Sequence, residues 1–173
     1  PEPGIDTYWR EVSAGRIDVA NSTVLGWYNL PQPRSYYITD TDFGPQIEYD
    51  RITNDCTEPA DALVDFKQFD GINLLFNAEL DGYARGGTYV LPWDGGDRAV
   101  GLTWLPTWGY QTQYITAHEM GHAFGLPHSS GPYDTPYDSM WDVMSLGGTC
   151  NPADAQFGCV GPHTIAYHKD MLG

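Results

Sequence analysis

The sequence predicts an α/β (α+β) fold of one domain, with a twisted mixed sheet, two long helices and a smaller, loop-rich C-terminal lobe. Three observations carry this. The run Ile72 to Asn77 (INLLFN) is apolar throughout and entered through Asp70-Gly71, the pattern of a fully buried central strand. Tyr89 to Trp93 and Val100 to Leu105 read as two more strands, separated by the turn-forming DGGD at 94 to 97. A helix from about Thr112 to Phe124 follows, in a stretch from Ala99 to Tyr133 whose single charged side chain is Glu119. A helix so poor in charge packs beneath a sheet rather than facing water.

The remaining elements follow in chain order. Residues 5 to 14 space Ile5, Tyr8, Trp9 and Val12 along one helical side, and Gly15 ends that helix. Ile17 and Val19 alternate with polar residues, Asn21-Ser22 can turn, and Val24 to Leu30 reads as a second strand, predicting a hairpin before Pro31. The prolines and TDTD of residues 31 to 45 predict a loop in which Asp40 or Asp42 caps the next helix. That helix is expected over 45 to 64, interrupted or restarted at Pro59. Beyond His128 the chain turns rich in Gly, Pro and Asp, and a final helix is expected after Pro162, with Ile165, His168, Met171 and Leu172 on its packing face. The domain is thus expected as 1-128, an upper lobe with the sheet, and 129-173, a lower lobe, with a cleft between them.

Acidic residues outnumber basic ones 23 to 8, a formal charge of −15. Such a field repels phosphate backbones and anionic lipid, so neither nucleic acid nor membrane surface is expected as a partner. No apolar run approaches the roughly 18 residues of a membrane-spanning helix. The first residues, PEPGIDTYWR, have neither the basic nor the apolar region of a signal peptide, so the chain is expected either to lack one or to be a processed form. Cys150 and Cys159 bracket a short polar loop, and a bridge between them would stabilise the fold by about 2–3 kcal/mol. That pairing, with six Trp and twelve Tyr against eight cations, points to a secreted, extracellular protein, and a monomer is expected. Cys56 is left over, either buried and inert or paired outside this chain.

The chemistry concentrates in HEMGHAFGLPH, residues 118 to 128. Residues four apart share a helix face, so His118 and His122 can present two imidazoles to one metal ion. Gly125 can take the positive φ that ends a helix and swing His128 back as a third ligand. Three protein ligands leave a fourth tetrahedral position open, as in catalytic zinc sites, and Glu119 is placed to take a proton there. His163 and His168 are assigned to helix surface or core, since three histidines already complete such a site. The acidic loops TDTD and DGGD are either plain turns or calcium sites.

His118, Glu119, His122, Gly125 and His128, followed some sixteen residues later by a methionine in WDVMS, resemble the metzincin clan of zinc endopeptidases. The resemblance implies a metzincin-like fold with its cleft between two lobes, and a tight turn holding Met144 beneath the metal; Met140 is the competing methionine. Ser129, after the third histidine, is similar to the matrixin pattern, whereas VLGWYNLP and DGINLLFN are more similar to microbial secreted peptidases of the gametolysin and immune inhibitor A type. Leu146 stands where several metzincin families carry a tyrosine ligand. The implied activity is zinc-dependent endopeptidase cleavage of protein or peptide substrates through a metal-bound water activated by Glu119. The alternatives are an inactive zinc-containing binding module and a zinc hydrolase acting on a non-peptide bond.

Overall fold

A computed structural model describes residues 4–93, 96–132, 137–145, 154–156 and 159–173. Its architecture is mixed α/β. A helix α1 (Ile5–Val12) opens the chain, and a short turn of helix α2 (Arg34–Tyr37) leads into strands β1 (Ile38–Thr41) and β2 (Gly44–Ile47). Helix α3 (Tyr49–Asp61) precedes a three-stranded sheet of β3 (Gly71–Leu75), β4 (Arg85–Trp93) and β5 (Gly96–Leu105). Helices α4 (Thr107–Tyr110), α5 (Gln113–Ala123) and α6 (Ala166–Met171) complete the described elements. No helix among the described residues is long and apolar enough to cross a membrane.

The larger sheet is mixed, as expected, with β5 in its middle: β3 runs parallel to it and β4 antiparallel. INLLFN is therefore an edge strand, not the central one. The difference shows in burial: Leu75 is exposed, whereas every residue from Val100 to Leu105 is buried. A strand covered on both faces must be apolar or small at every position, and β5 meets that condition with Val100, Gly101, Leu102 and Trp104, helped by a buried Thr103 whose hydroxyl donates to Asn73 Oδ1 at 2.7 Å.

Two apolar cores lie on either side of this layer. One gathers Leu74, Leu91, Leu102 and Trp104 from the sheet with Ile38, Ile47 and Ile52. The indole of Trp104 packs edge-on against Tyr49 and Tyr89, and its Nε1 donates to Thr53 Oγ1 at 3.1 Å, so the buried polar atom is satisfied. The other core joins Trp9 and Val12 of α1 to Tyr114, Ala117 and Met120 of α5, with Leu126, Val143 and Met144. Helix α5 thus lies between the sheet and a second layer made of α1 and the 143–144 turn.

Three further expectations change. Residues 16–30 form no hairpin. The Ile17 and Val19 amides donate to the Ser13 hydroxyl and the Asp6 carboxylate, so local side chains take the bonds that a ladder would need, and Val24 and Trp27 stay exposed. TDTD caps no helix: its residues belong to β1 and its turn, and β2, of which residues 45–47 were expected as helix, pairs with β1 in register Ile38↔Ile47 to Thr41↔Gly44. The last helix starts at Ala166 rather than after Pro162, whose carbonyl accepts from the Tyr8 hydroxyl at 2.9 Å. Cys150 and the first half of DGGD lie outside the described residues, as does Leu146; Cys56 is free and half-buried.

Candidate metal centre

Helix α5 approaches the sheet unusually closely, and glycines permit it. A Cβ on Gly86 of β4 would stand 1.9 Å from the Glu119 carbonyl oxygen, and one on Gly101 of β5 would stand 2.9 Å from that of Ala123. On its other side, a Cβ on Gly121 would meet Met144 Sδ at 2.3 Å. Met144, wholly buried, therefore fits under the helix between the two histidine turns, and Met140, half-exposed, does not. Where α5 ends, Gly125 has φ +87°, its N–H donates to the His122 carbonyl, and the Leu126 N–H donates to that of Gly121. These are the two bonds of a left-handed helix C-cap, and they reverse the chain toward His128 as the spacing predicts.

The three imidazoles converge. His122 Nε2 lies 2.9 Å from His128 Nε2 and 3.2 Å from His118 Nε2, and the third separation is also 3.2 Å. Ligands at about 2.0–2.1 Å from a tetrahedral zinc stand about 3.3 Å apart, so the triangle fits three ligands of one ion. Among the described residues this is the only group of three or more His, Cys, Asp or Glu brought together in this way. TDTD gathers none, with Asp40 and Asp42 both exposed, and neither His163 nor His168 joins the cluster.

The opposite ring nitrogens decide which way the lone pairs face. His118 Nδ1 donates to the Val143 carbonyl at 2.7 Å, and His122 Nδ1 donates to that of Leu126 at 2.8 Å. A carbonyl only accepts, so both rings carry the proton on Nδ1 and turn a bare Nε2 toward the centre. His128 Nδ1 lies 2.9 Å from the Tyr137 hydroxyl. Burial pushes all three histidines below their ordinary pKa, His118 to about 4, which keeps them neutral and ready to ligate. The two bare Nε2 atoms lie 3.2 Å apart with their lone pairs facing one another and repelling, and a cation among the three rings removes the repulsion. The donor set therefore fits a metal ion.

Glu119, next to His118, is buried; desolvation pushes its carboxyl up to about 7, opposed by the Arg85 charge. Arg85 is itself paired with the buried Asp81 at 3.2 Å. Sequence reasoning missed this pair, and it missed a buried network below the histidines. There Asp142 accepts from the Ser129 hydroxyl at 2.7 Å and from the Met144 amide at 3.2 Å. His168 Nδ1 stands 2.9 Å from the same carboxylate, at ion-pair distance though not aligned as a hydrogen bond. His168 is therefore a core residue, and His163 lies at the surface facing Glu11. Nothing local in the sequence marks Asp142, because its partners come from positions 129, 144 and 168.

Compared with models of known protein families and with curated proteins, the chain matches none.

Proposed function

We propose that this chain is a zinc-dependent endopeptidase in which His118, His122 and His128 hold the metal and Glu119 is the general base. The observation that carries the proposal is the 2.9–3.2 Å triangle of Nε2 atoms with a buried carboxylate on the residue after the first of them. A bound zinc ion supplies Lewis acidity, lowering the pKa of water toward about 7 and polarising a carbonyl. The chain does the rest. The backbone carbonyls of Val143 and Leu126 hold two imidazoles in the ligating tautomer, and the base, Glu119, is itself buried. Glu119 accepts a proton from the attacking water and returns it to the leaving amine.

Peptide as substrate, rather than another hydrolysable bond, is supported by β4. Within the sheet of described residues that strand pairs on one side alone, and it passes the metal helix at Gly86, beside Glu119. An extended peptide can add to such an edge through main-chain hydrogen bonds, which brings its carbonyls past the base. A secreted, monomeric peptidase acting on proteins or peptides is the corresponding biological reading.

The test is digestion of casein or a peptide library by the purified protein, with and without a chelator, beside Glu119→Gln. Cleavage lost on chelation and restored by zinc is expected. Glu119→Gln should bind zinc as the parent does and lose about 10²–10⁴-fold in turnover. Zinc-loaded Glu119→Gln cleaving within a few-fold of the parent overturns the assignment, and full zinc occupancy without any cleavage favours the binding-module alternative.

A further inference from the structure

His118 and His122 are each oriented by a backbone carbonyl, but His128, the most exposed of the three, has no such partner among the described residues. Its Nδ1 meets the hydroxyl of Tyr137 at 2.9 Å, and the tyrosine ring packs edge-on against the imidazole with centroids 4.4 Å apart. We propose that Tyr137 is a positioning residue that fixes the tautomer and orientation of the third metal ligand and so sets how tightly the site retains its ion. The inference rests on the metal-site reading above and adds to it a residue nine positions beyond the motif.

Two features of the loop support this role. Tyr137 has φ +63°, the left-handed region that a non-glycine residue occupies at a cost, so something must hold it there. What holds it is local to His128: the Tyr137 amide donates to the Ser130 hydroxyl at 3.1 Å, and the Gly131 amide donates to the Asp138 carboxylate. The loop is thus tied closed two to three residues after the ligand, with the phenol delivered to the face of the imidazole away from the metal. A phenolic oxygen can accept or donate. When it accepts from Nδ1–H, His128 Nε2 is left bare, matching the other two rings; without it, an exposed imidazole is free to place its proton on Nε2 or to rotate. A group that hydrogen-bonds the far nitrogen of a ligating imidazole in this way is worth about 10–100-fold in metal affinity.

The test uses Tyr137→Phe, which keeps the ring and removes one oxygen. Zinc affinity is measured by competition with a chromogenic chelator, and the melting temperature of both metal-free proteins checks the fold. The expected result is about 10–100-fold weaker zinc binding with an unchanged metal-free melting curve; affinity within two-fold of the parent overturns the proposal. A second measurement decides the matter whether or not the variant is fully stable. Imidazole ¹⁵N shifts of the metal-free protein should report an Nδ1-protonated His128 in the parent and a tautomer mixture in Tyr137→Phe, and identical shifts in the two overturn the proposal. The readouts separate the two readings. Zinc binding that weakens in Tyr137→Phe, in a protein that cleaves no peptide, keeps the positioning role and overturns the peptidase. Peptidase activity with parental zinc affinity in Tyr137→Phe does the reverse.

Discussion

A neutral imidazole has one bare nitrogen, and whatever holds the other decides where it points. At His118 and His122 that holder is main chain, which substitution of a side chain does not remove. The same effect that keeps the histidines neutral, desolvation, acts on thiols. Desolvation pushes Cys56, in α3, up to about 12, so raising its pKa lowers the thiolate fraction at any given pH below that value. At pH 8 an ordinary thiol is roughly one-quarter ionised, and Cys56 should be about 10³-fold less so. Alkylation of the native protein at pH 8 is therefore expected to be slow and to become fast on unfolding; native labelling at the rate of a small free thiol would contradict this.

Helix α5 carries two of the three proposed ligands, and its seat depends on two different glycine requirements that mutation can separate. At Gly86 the constraint is space: an alanine Cβ would meet the backbone of Glu119, which has no rotamer to move away. Gly86→Ala should force the helix off β4, costing about 1–3 kcal/mol or more and lowering zinc affinity and turnover together. At Gly125 the constraint is conformation: nothing lies within 4 Å of an added Cβ, but φ is +87°. Gly125→Ala should cost about 1–2 kcal/mol, the penalty of a left-handed non-glycine residue. Thermal denaturation of the metal-free variants measures both costs, and a Gly86→Ala protein as stable and as tight for zinc as the parent would mean the close approach is not required. A strand pattern interrupted by Gly86-Gly87 reads in sequence as a later start at Tyr89, yet β4 begins at Arg85. The residues that weaken the strand signal are those that admit the helix.

Across the whole molecule, the proposed metal ties together segments far apart in sequence. His118 and His122 sit on a helix between the sheet and α1, while His128 leads into the loop that returns through Tyr137, Asp142 and Met144. Zinc binding should therefore stabilise the fold: at a free concentration 100-fold above its dissociation constant the gain is about 2.7 kcal/mol, or roughly 5–11 °C for a chain of this size. Calorimetry with and without a chelator measures it, and a melting temperature indifferent to zinc would sink the metal site. The convergence of His118, His122 and His128, the left-handed Gly125 and the mixed α/β class were legible from the sequence because each depends on periodicity and spacing along a few adjacent turns. The partners of residues 16–30, the middle strand of the sheet, the Asp142 carboxylate and the hydroxyl behind His128 were not. An edge strand and a central strand can share one apolar pattern, and a buried polar group is defined by partners tens of residues away. Spacing within a helix determined which atoms could meet at a centre; only the packing of distant segments decided what stands behind them, because hydrogen bonds between such segments leave no local mark on the chain.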